Sequence, residues 1–294
     1  MEETVLELND VSKHFKAFAL NHVSFSLKKG YIMGFIGANG AGKSTTIRSM
    51  LGLIHLDSGS IRMFGKDIQQ HPEAIKERIG FVFDQDVFFG GLTGESNRRL
   101  LARFYKRWDD AQFNRYIQRF GVPLNKKMKQ LSKGTKMKFA LAAALSHHAE
   151  LIIMDEPTSG LDPVFRRDLL DVLLEVIQEG DCAVFFSTHM TTDLERIADY
   201  VTFIRDGNIV FSLDSETLRE RYTLIKGAAE AEGTVRLMRP VTVHRGPLSI
   251  EALAETAQID TDHAVRMGLR LERPTLDDIM YYLSKVSDGA EARQ

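Results

Sequence analysis

Apolar and polar residues alternate from Val5 to Gly30, as in Val5-Leu6-Glu7-Leu8 and Val23-Ser24-Phe25-Ser26-Leu27, and this period of two predicts antiparallel strands. Later apolar runs are continuous instead. Residues 31–36, 151–154 and 183–187 read as strands buried on both faces, and residues 61–65 and 79–82 as further strands. Residues 201–205 and 208–211 flank Asp206-Gly207 and predict a hairpin. Between the runs the period lengthens. Residues 46–51 are helical up to Gly52, and residues 85–150 are mostly helical, with no glycine between Arg98 and Phe120. Asp162-Pro163 supplies an N-cap and a first helical residue for a helix with Leu169, Leu170, Leu173, Leu174 and Ile177 on one face, stopping at Gly180. Strands separated by helices predict an α/β fold, a mostly parallel sheet with helices on both faces.

The composition changes near residues 218–227, and Gly227-Ala228-Ala229-Glu230 reads as a linker. The expected organisation is a main domain over residues 1–220, with a helical subdomain at about 85–150, and an accessory segment over 227–294. That segment ends in a helix capped by Thr275, with Ile279, Met280 and Leu283 on one face, before a frayed end from Ser287.

Bulk properties narrow the picture modestly. The 294 residues are 44% hydrophobic and 27% charged with a formal net charge of −2, so no global charge draws the chain to nucleic acid or membrane. A local excess stands out, with thirteen Lys/Arg against Asp109 and Asp110 between Arg98 and Lys138; a solvated face is its default explanation. The single Cys182 precedes the apolar run Ala183-Val184-Phe185-Phe186 and reads as a buried, reduced thiol. The start, Met1-Glu2-Glu3-Thr4, lacks a signal-like apolar region, and no run approaches the roughly 18 to 20 residues of a membrane span, so the expectation is a soluble, cytoplasmic protein.

The chemistry centres on Gly37-Ala38-Asn39-Gly40-Ala41-Gly42-Lys43-Ser44-Thr45, which fits G-x-x-x-x-G-K-[ST] between a buried strand and a helix. Glycines let successive N–H groups turn inward, and the helix adds its positive end, so the loop suits phosphates. Lys43 is expected on the β- and γ-phosphates and the Ser44 hydroxyl on Mg²⁺. Asp155 and Glu156 follow an apolar strand. Beside a phosphate site Asp155 is placed to hold Mg²⁺, and Glu156 to orient or deprotonate the attacking water; alone, the pair reads as an exposed strand end. His189, ending another buried strand, can donate a hydrogen bond to a terminal phosphate. Phe15 reads from pattern alone as core or as a base-stacking ring, with core preferred.

These residues together resemble one family, the nucleotide-binding subunits of ABC transporters. Residues 37–45 match its Walker A loop, residues 151–156 its Walker B strand, Ser159 to Asp162 its D-loop and His189 its switch histidine. Leu131-Ser132-Lys133-Gly134-Thr135 sits where the family has L-S-G-G-Q. The resemblance covers about residues 5–220. It implies a P-loop ATPase core, ATP and Mg²⁺ as ligands, Phe15 as the adenine-stacking residue, and Asn39, Gly40, Ala41, Gly42, Lys43, Ser44 and Thr45 around the phosphates. It also implies two ATPase domains meeting head to tail, a homodimer or a pair with a paralogue, with Ser132 and Gly134 of one facing the γ-phosphate held by the other. The implied partner is an integral-membrane permease subunit, which would hold the ATPase on the inner face of the membrane. Asp84 occupies the Q-loop position with Gln85 beside it, so either is a metal-site residue; Lys133 and Thr135 depart from the signature.

Residues 227–294 look like the accessory segment of ABC-2-type exporter ATPases, and the wording around residues 81–84 and 131–138 is most similar to the group that includes the phenol-soluble-modulin exporter. The leading expectation is therefore an exporter ATPase with no nucleic-acid partner. The rival is a soluble ABC-type ATPase acting on ribosomes or nucleic acid through residues 98–138. Ribosome-acting members carry two Walker A loops in one chain and DNA-repair members long heptad insertions; this sequence has one loop and no such insertion.

Overall fold

A computed structural model describes residues 3–83, 87–178 and 180–285. The alternating N-terminal segments form β1 (Thr4–His14) and β2 (Ala19–Lys28), paired antiparallel. Strand β3 (Ile32–Ile36), buried at every position, leads into helix α1 (Lys43–Met50). Strands β4 (Ser58–Met63) and β5 (Lys66–Asp67) return to β1, giving an antiparallel sheet in the order β2-β1-β4-β5. After α2 (Pro72–Lys76) and β6 (Ile79–Val82) comes the helical section, α3 (Gly94–Leu101), α4 (Asp110–Phe120) and α5 (Lys133–Leu145). The chain then runs through β7 (Leu151–Asp155), α6 (Pro163–Gln178), β8 (Ala183–Thr188), α7 (Thr191–Ile197), β9 (Tyr200–Arg205) and β10 (Asn208–Asp214).

The central sheet has the order β10-β9-β3-β8-β7-β6, and β9, β3, β8, β7 and β6 are parallel neighbours. Burial on both faces is why these strands are continuous apolar runs. Phe35 of β3 packs on Phe185 of β8 at 5.1 Å, and Phe25 of β2 packs on both rings, so one aromatic cluster joins the two sheets. Truncating a buried phenylalanine such as Phe185 to alanine costs about 3–5 kcal/mol. Parallel register sets the ends of the strands level, with Ile36 opposite Thr188 and Asp155 opposite Ser187. The segments leaving β3, β7 and β8 therefore emerge together at the carboxyl edge of the sheet, where α/β folds bind ligands.

In the helical section several members of the basic excess are paired. Arg98 contacts Glu95 and Asp110, Arg119 contacts Glu175 and Asp168, Arg107 lies 3.4 Å from Glu150, and Lys138 stands 4.4 Å over the Phe165 ring. Gly80 lets the end of α5 close directly on β6, since a Cβ there would lie 2.8 Å from the Ala144 carbonyl oxygen.

A second compact unit begins at Leu213 and includes Leu194–Arg196. It contains α8 (Ser215–Arg221), β11 (Tyr222–Ala228), α9 (Glu232–Leu237), β12 (Thr242–Arg245), β13 (Ser249–Glu255), α10 (Thr261–Arg266), β14 (Arg270–Glu272) and α11 (Leu276–Ser284). Its antiparallel sheet has the order β12-β13-β11-β14, over a core of Ile225, Val235, Met238, Ile250, Ala252 and Leu269. The division thus falls a few residues before 220, and the expected linker at 227–230 differs in structure. Gly227 and Ala228 end β11, paired with Ile250 and Ser249, and a Cβ at Gly227 would lie 2.6 Å from Leu269 Cδ2. Helix α11 is capped as expected. The Thr275 hydroxyl accepts from the Asp278 N–H, and Asp278 accepts from Thr275 in return; Tyr282, rather than Met280, joins Ile279 and Leu283 in the buried face.

Candidate functional site

The loop after β3 closes on α1, whose first residue is Lys43. Gly42 caps the helix with φ +116°, and a Cβ there would lie 2.9 Å from both Leu20 Cδ2 and Phe18 Cζ. Only glycine suits both the backbone angle and the space. Thr46 N–H is bonded to the Gly42 carbonyl, so the N–H groups of the preceding first turn project beyond the helix toward a ligand. Ala17, Phe18, Ala38, Asn39, Gly40, Gly42, Lys43, Ser44, Thr45 and Glu156 line a cavity of 490 Å³ around this end. Ala41, also expected here, is buried behind the lining.

Lys43 is buried, and its Nζ donates to the Gly37 carbonyl at 2.7 Å and the Ala38 carbonyl at 3.3 Å. It also lies 3.2 Å from Glu156 Oε1, an ion pair outside hydrogen-bond geometry; among the described residues that oxygen has no hydrogen-bond partner. Glu156 sits just past β7 with φ +49°, an uncommon conformation for a residue with a side chain. Its N–H donates to the Ser187 carbonyl at 3.0 Å and its carbonyl accepts from Ser159 N–H at 3.1 Å, which hold the backbone there. The turn aims the carboxylate at Lys43. Its other oxygen, Oε2, meets His189 Nδ1 at 2.7 Å.

Asp155, the last residue of β7, is hydrogen-bonded to Ser44 and accepts from Ser187 Oγ at 3.2 Å. Burial pushes its carboxyl pKa up, against the pull of Ser44, Ser187 and Lys43. A buried carboxylate and a hydroxyl, both hard oxygen donors beside a phosphate loop, fit a divalent cation such as Mg²⁺. Residues up to 146 positions apart thus form two side-chain chains at the phosphate loop, Lys43–Glu156–His189 and Ser44–Asp155–Ser187.

Other expected residues stand apart from this network. Phe15 is 47% exposed, so the pattern-based preference for core does not hold; its ring stacks on Phe18, which does line the cavity, at 6.4 Å. Ser132 and Gly134 lie at the start of α5, outside the lining, with Ser132 Oγ accepting from Thr135 N–H at 3.2 Å. Asp84 and Gln85 lie outside the described residues. Missed from sequence were the ion pair between Lys43 and Glu156 and the left-handed backbone of Glu156. The small Thr158-Ser159-Gly160 turn after Glu156 was the available signal for the latter.

Comparison with known proteins agrees with this geometry. The ABC transporter family profile matches residues 20–159. The ABC transporter ATP-binding protein YtrB of Bacillus subtilis is 31% identical over 78% of this chain and 78% of its own length. The bacitracin transport ATP-binding protein BcrA of Enterococcus faecalis is 27% identical over 98% of this chain and 97% of its own. A solved ATP-binding subunit of an ABC transporter superposes with a TM-score of 0.67 at 29% identity, covering 73% of this chain and 92% of that one. A dimeric ATP-binding cassette bound to ADP and Pi shares the fold, with a TM-score of 0.65 at 22% identity over 71% of this chain and 98% of that one. These relatives support an exporter-type subunit and not the narrower likeness to phenol-soluble-modulin exporters, nor the ribosome or nucleic-acid alternative. The chain belongs to the ABC transporter family, as an exporter-type subunit that binds and hydrolyses ATP.

Proposed function

We propose that Glu156 is the general base of Mg²⁺-dependent ATP hydrolysis in this chain, and that the cycle powers an exporter whose membrane-spanning partner is a separate permease subunit. The observation that carries the chemistry is the Lys43–Glu156–His189 chain at the phosphate loop, with contacts of 3.2 and 2.7 Å. Phosphate oxygens of the substrate compete for Lys43 Nζ through charge-assisted hydrogen bonds stronger than those from the Gly37 and Ala38 carbonyls. Drawing the ammonium toward the triphosphate leaves Glu156 Oε1 free to accept a proton. Water then attacks the γ-phosphorus, Glu156 takes its proton, and the bond from phosphorus to the β–γ bridging oxygen breaks to leave ADP and phosphate. His189 holds Oε2 and so sets the direction in which Oε1 points. Ser44 and Asp155 would hold Mg²⁺, with Asp84 or Gln85 as a further ligand; when bound, the cation neutralises charge developing on the phosphates.

In the assembly, two ATPase domains meet head to tail, as a homodimer or with a paralogue. Ser132 and Gly134 at the start of α5 face the γ-phosphate held by the opposite subunit, and Phe15 stacks on the adenine. Residues up to Ser212 act as the ATPase domain, and the unit that begins at Leu213 acts as its accessory segment. The subunit sits on the inner face of the membrane through its permease. Among the described residues no helix is long and apolar enough to cross a membrane, so a separate membrane-spanning subunit accords with this reading.

The test is assembly. Glu156→Gln with ATP and Mg²⁺ should shift the protein from monomer to dimer in size-exclusion light scattering, and gentle detergent extraction of the wild type should recover a hydrophobic subunit. A Glu156→Gln chain that stays monomeric at saturating ATP, with no membrane protein recovered, contradicts the proposal.

A further inference from the structure

The base end of the nucleotide site is built very differently from the phosphate end. Strand pairing ends with Lys13 opposite Leu20 and His14 opposite Ala19, leaving Phe15-Lys16-Ala17-Phe18 as a four-residue loop. One backbone bond closes the loop, from Phe15 N–H to the Phe18 carbonyl at 2.8 Å. Its leading ring is about half exposed. What holds the loop comes instead from 43 residues further along the chain, in the turn that enters β4.

There Asp57 makes three bonds to the two residues preceding Phe15. Its Oδ1 accepts from Lys13 Nζ at 2.7 Å, while Oδ2 accepts from the His14 N–H at 2.7 Å and lies 3.0 Å from His14 Nδ1. The turn itself is anchored. Asp57 N–H donates to the Ser12 carbonyl at 2.9 Å, and Gly59, at φ +84°, brings the two backbones so close that a Cβ would lie 2.3 Å from the Asp10 carbonyl oxygen. The Lys13 ammonium that Asp57 holds stands 5.8 Å from the centre of the Phe15 ring, within cation–π range. Lys13, with His14, also keeps the Asp57 carboxyl well below the usual carboxylate range, so the carboxylate is charged at neutral pH.

We propose that Asp57 is a positioning residue for the adenine. By gripping the His14 backbone and the Lys13 ammonium, it fixes where the Phe15–Phe18 pair of rings stands beside the cavity, and so contributes to affinity for the base without touching the phosphates. This rests on the reading of Phe15 as the adenine-stacking residue. It deepens that reading, because an exposed ring in a four-residue loop loses conformational freedom on stacking, and a pre-set loop has already lost it.

The experiment compares MgATP with magnesium tripolyphosphate, which presents the phosphates without a base, by titration calorimetry on the full chain. Replacing one stacking ring by alanine typically weakens nucleotide binding by about tenfold. Phe15→Ala should therefore weaken MgATP by that factor and leave tripolyphosphate unchanged. Asp57→Ala should weaken MgATP by about fivefold, again with tripolyphosphate unchanged, and should add little to Phe15→Ala in the double variant. Asp57→Asn retains one acceptor for the His14 N–H and should recover about half of the loss. If Phe15→Ala weakens MgATP and Asp57→Ala does not, the positioning role is wrong while the stacking reading stands. If Phe15→Ala has no effect, the stacking reading falls and the proposal with it. Equal losses for MgATP and tripolyphosphate in Asp57→Ala would mean damage to the whole site and overturn the proposal.

Discussion

The two ends of the nucleotide site solve the same problem with opposite means. At the phosphate end, the working side chains leave the central strands and α1 or the residue that directly follows a strand. Lys43 is 6% exposed, Asp155 ends a central strand, and Glu156 is held at φ +49° by backbone bonds to its neighbours. At the base end the leading ring is 47% exposed and its loop is held by one carboxylate across a strand gap. The difference follows the chemistry. Hydrolysis requires charges placed before the reaction in a poorly solvated site, where each is worth several times its value in water. Stacking a base needs only an aromatic face at the right distance, and this can be built at the surface.

The largest break in this contrast should come from Lys43→Ala. It removes the charge-assisted donor to the phosphates and leaves the Glu156 carboxylate without its ion-pair partner. ATP affinity should fall by about 100-fold, with tripolyphosphate falling equally, since a hydrogen bond to a charged group is worth about 1.5–3 kcal/mol and the lysine makes more than one. A loss confined to ATP would place Lys43 at the base end.

Asp155→Asn separates function from stability at the same end. Burial raises this carboxyl pKa above its unfolded value, so the ionised form costs stability at neutral pH, and the cost vanishes as pH falls through the folded pKa. The amide removes that cost and also removes a hard metal donor. Mg²⁺-dependent turnover should drop by about 10- to 100-fold while the melting temperature holds or rises, and nucleotide binding in EDTA should persist. A lower Tm together with full turnover would show that Asp155 is structural. The effect of Phe15→Ala, by contrast, should be the same with and without Mg²⁺.

A smaller effect is expected at Ser132, which caps α5 and belongs to neither end within one chain. Ser132→Ala should cost about 1 kcal/mol, or about 2–4 °C in Tm, and leave monomeric ATP affinity unchanged. A weaker Kd in the isolated monomer would mean that α5 contacts the nucleotide in cis.

Sequence made the phosphate end legible because its chemistry is local. A glycine loop between a strand and a helix, or two acids after an apolar run, are each spelled within about ten residues. Asp162 capping α6 and the Asp206-Gly207 hairpin were legible for the same reason, as both depend on local backbone geometry: the Asp162 carboxylate accepts from the Val164 and Phe165 N–H groups, and both hairpin residues have positive φ. The clamp on Phe15 was not legible, since Asp57 stands in a turn motif that gives no sign of Lys13 and His14 beside it. The second unit was read least well. Gly227-Ala228-Ala229 has the composition of a linker, yet Gly227 and Ala228 are paired in β11, with Leu269 packed against the glycine. A small residue chosen for tertiary contact looks in sequence like one chosen for flexibility.

The central claim, that Glu156 is the base on a preorganised phosphate site, is tested most directly by single-turnover hydrolysis of MgATP by Glu156→Gln beside the wild type, with affinity measured in the same samples. Affinity should stay within about twofold while the rate falls by about 10² to 10⁴, the usual loss of a positioned general base. A rate within about threefold of wild type at unchanged affinity would contradict the assignment and place the base elsewhere.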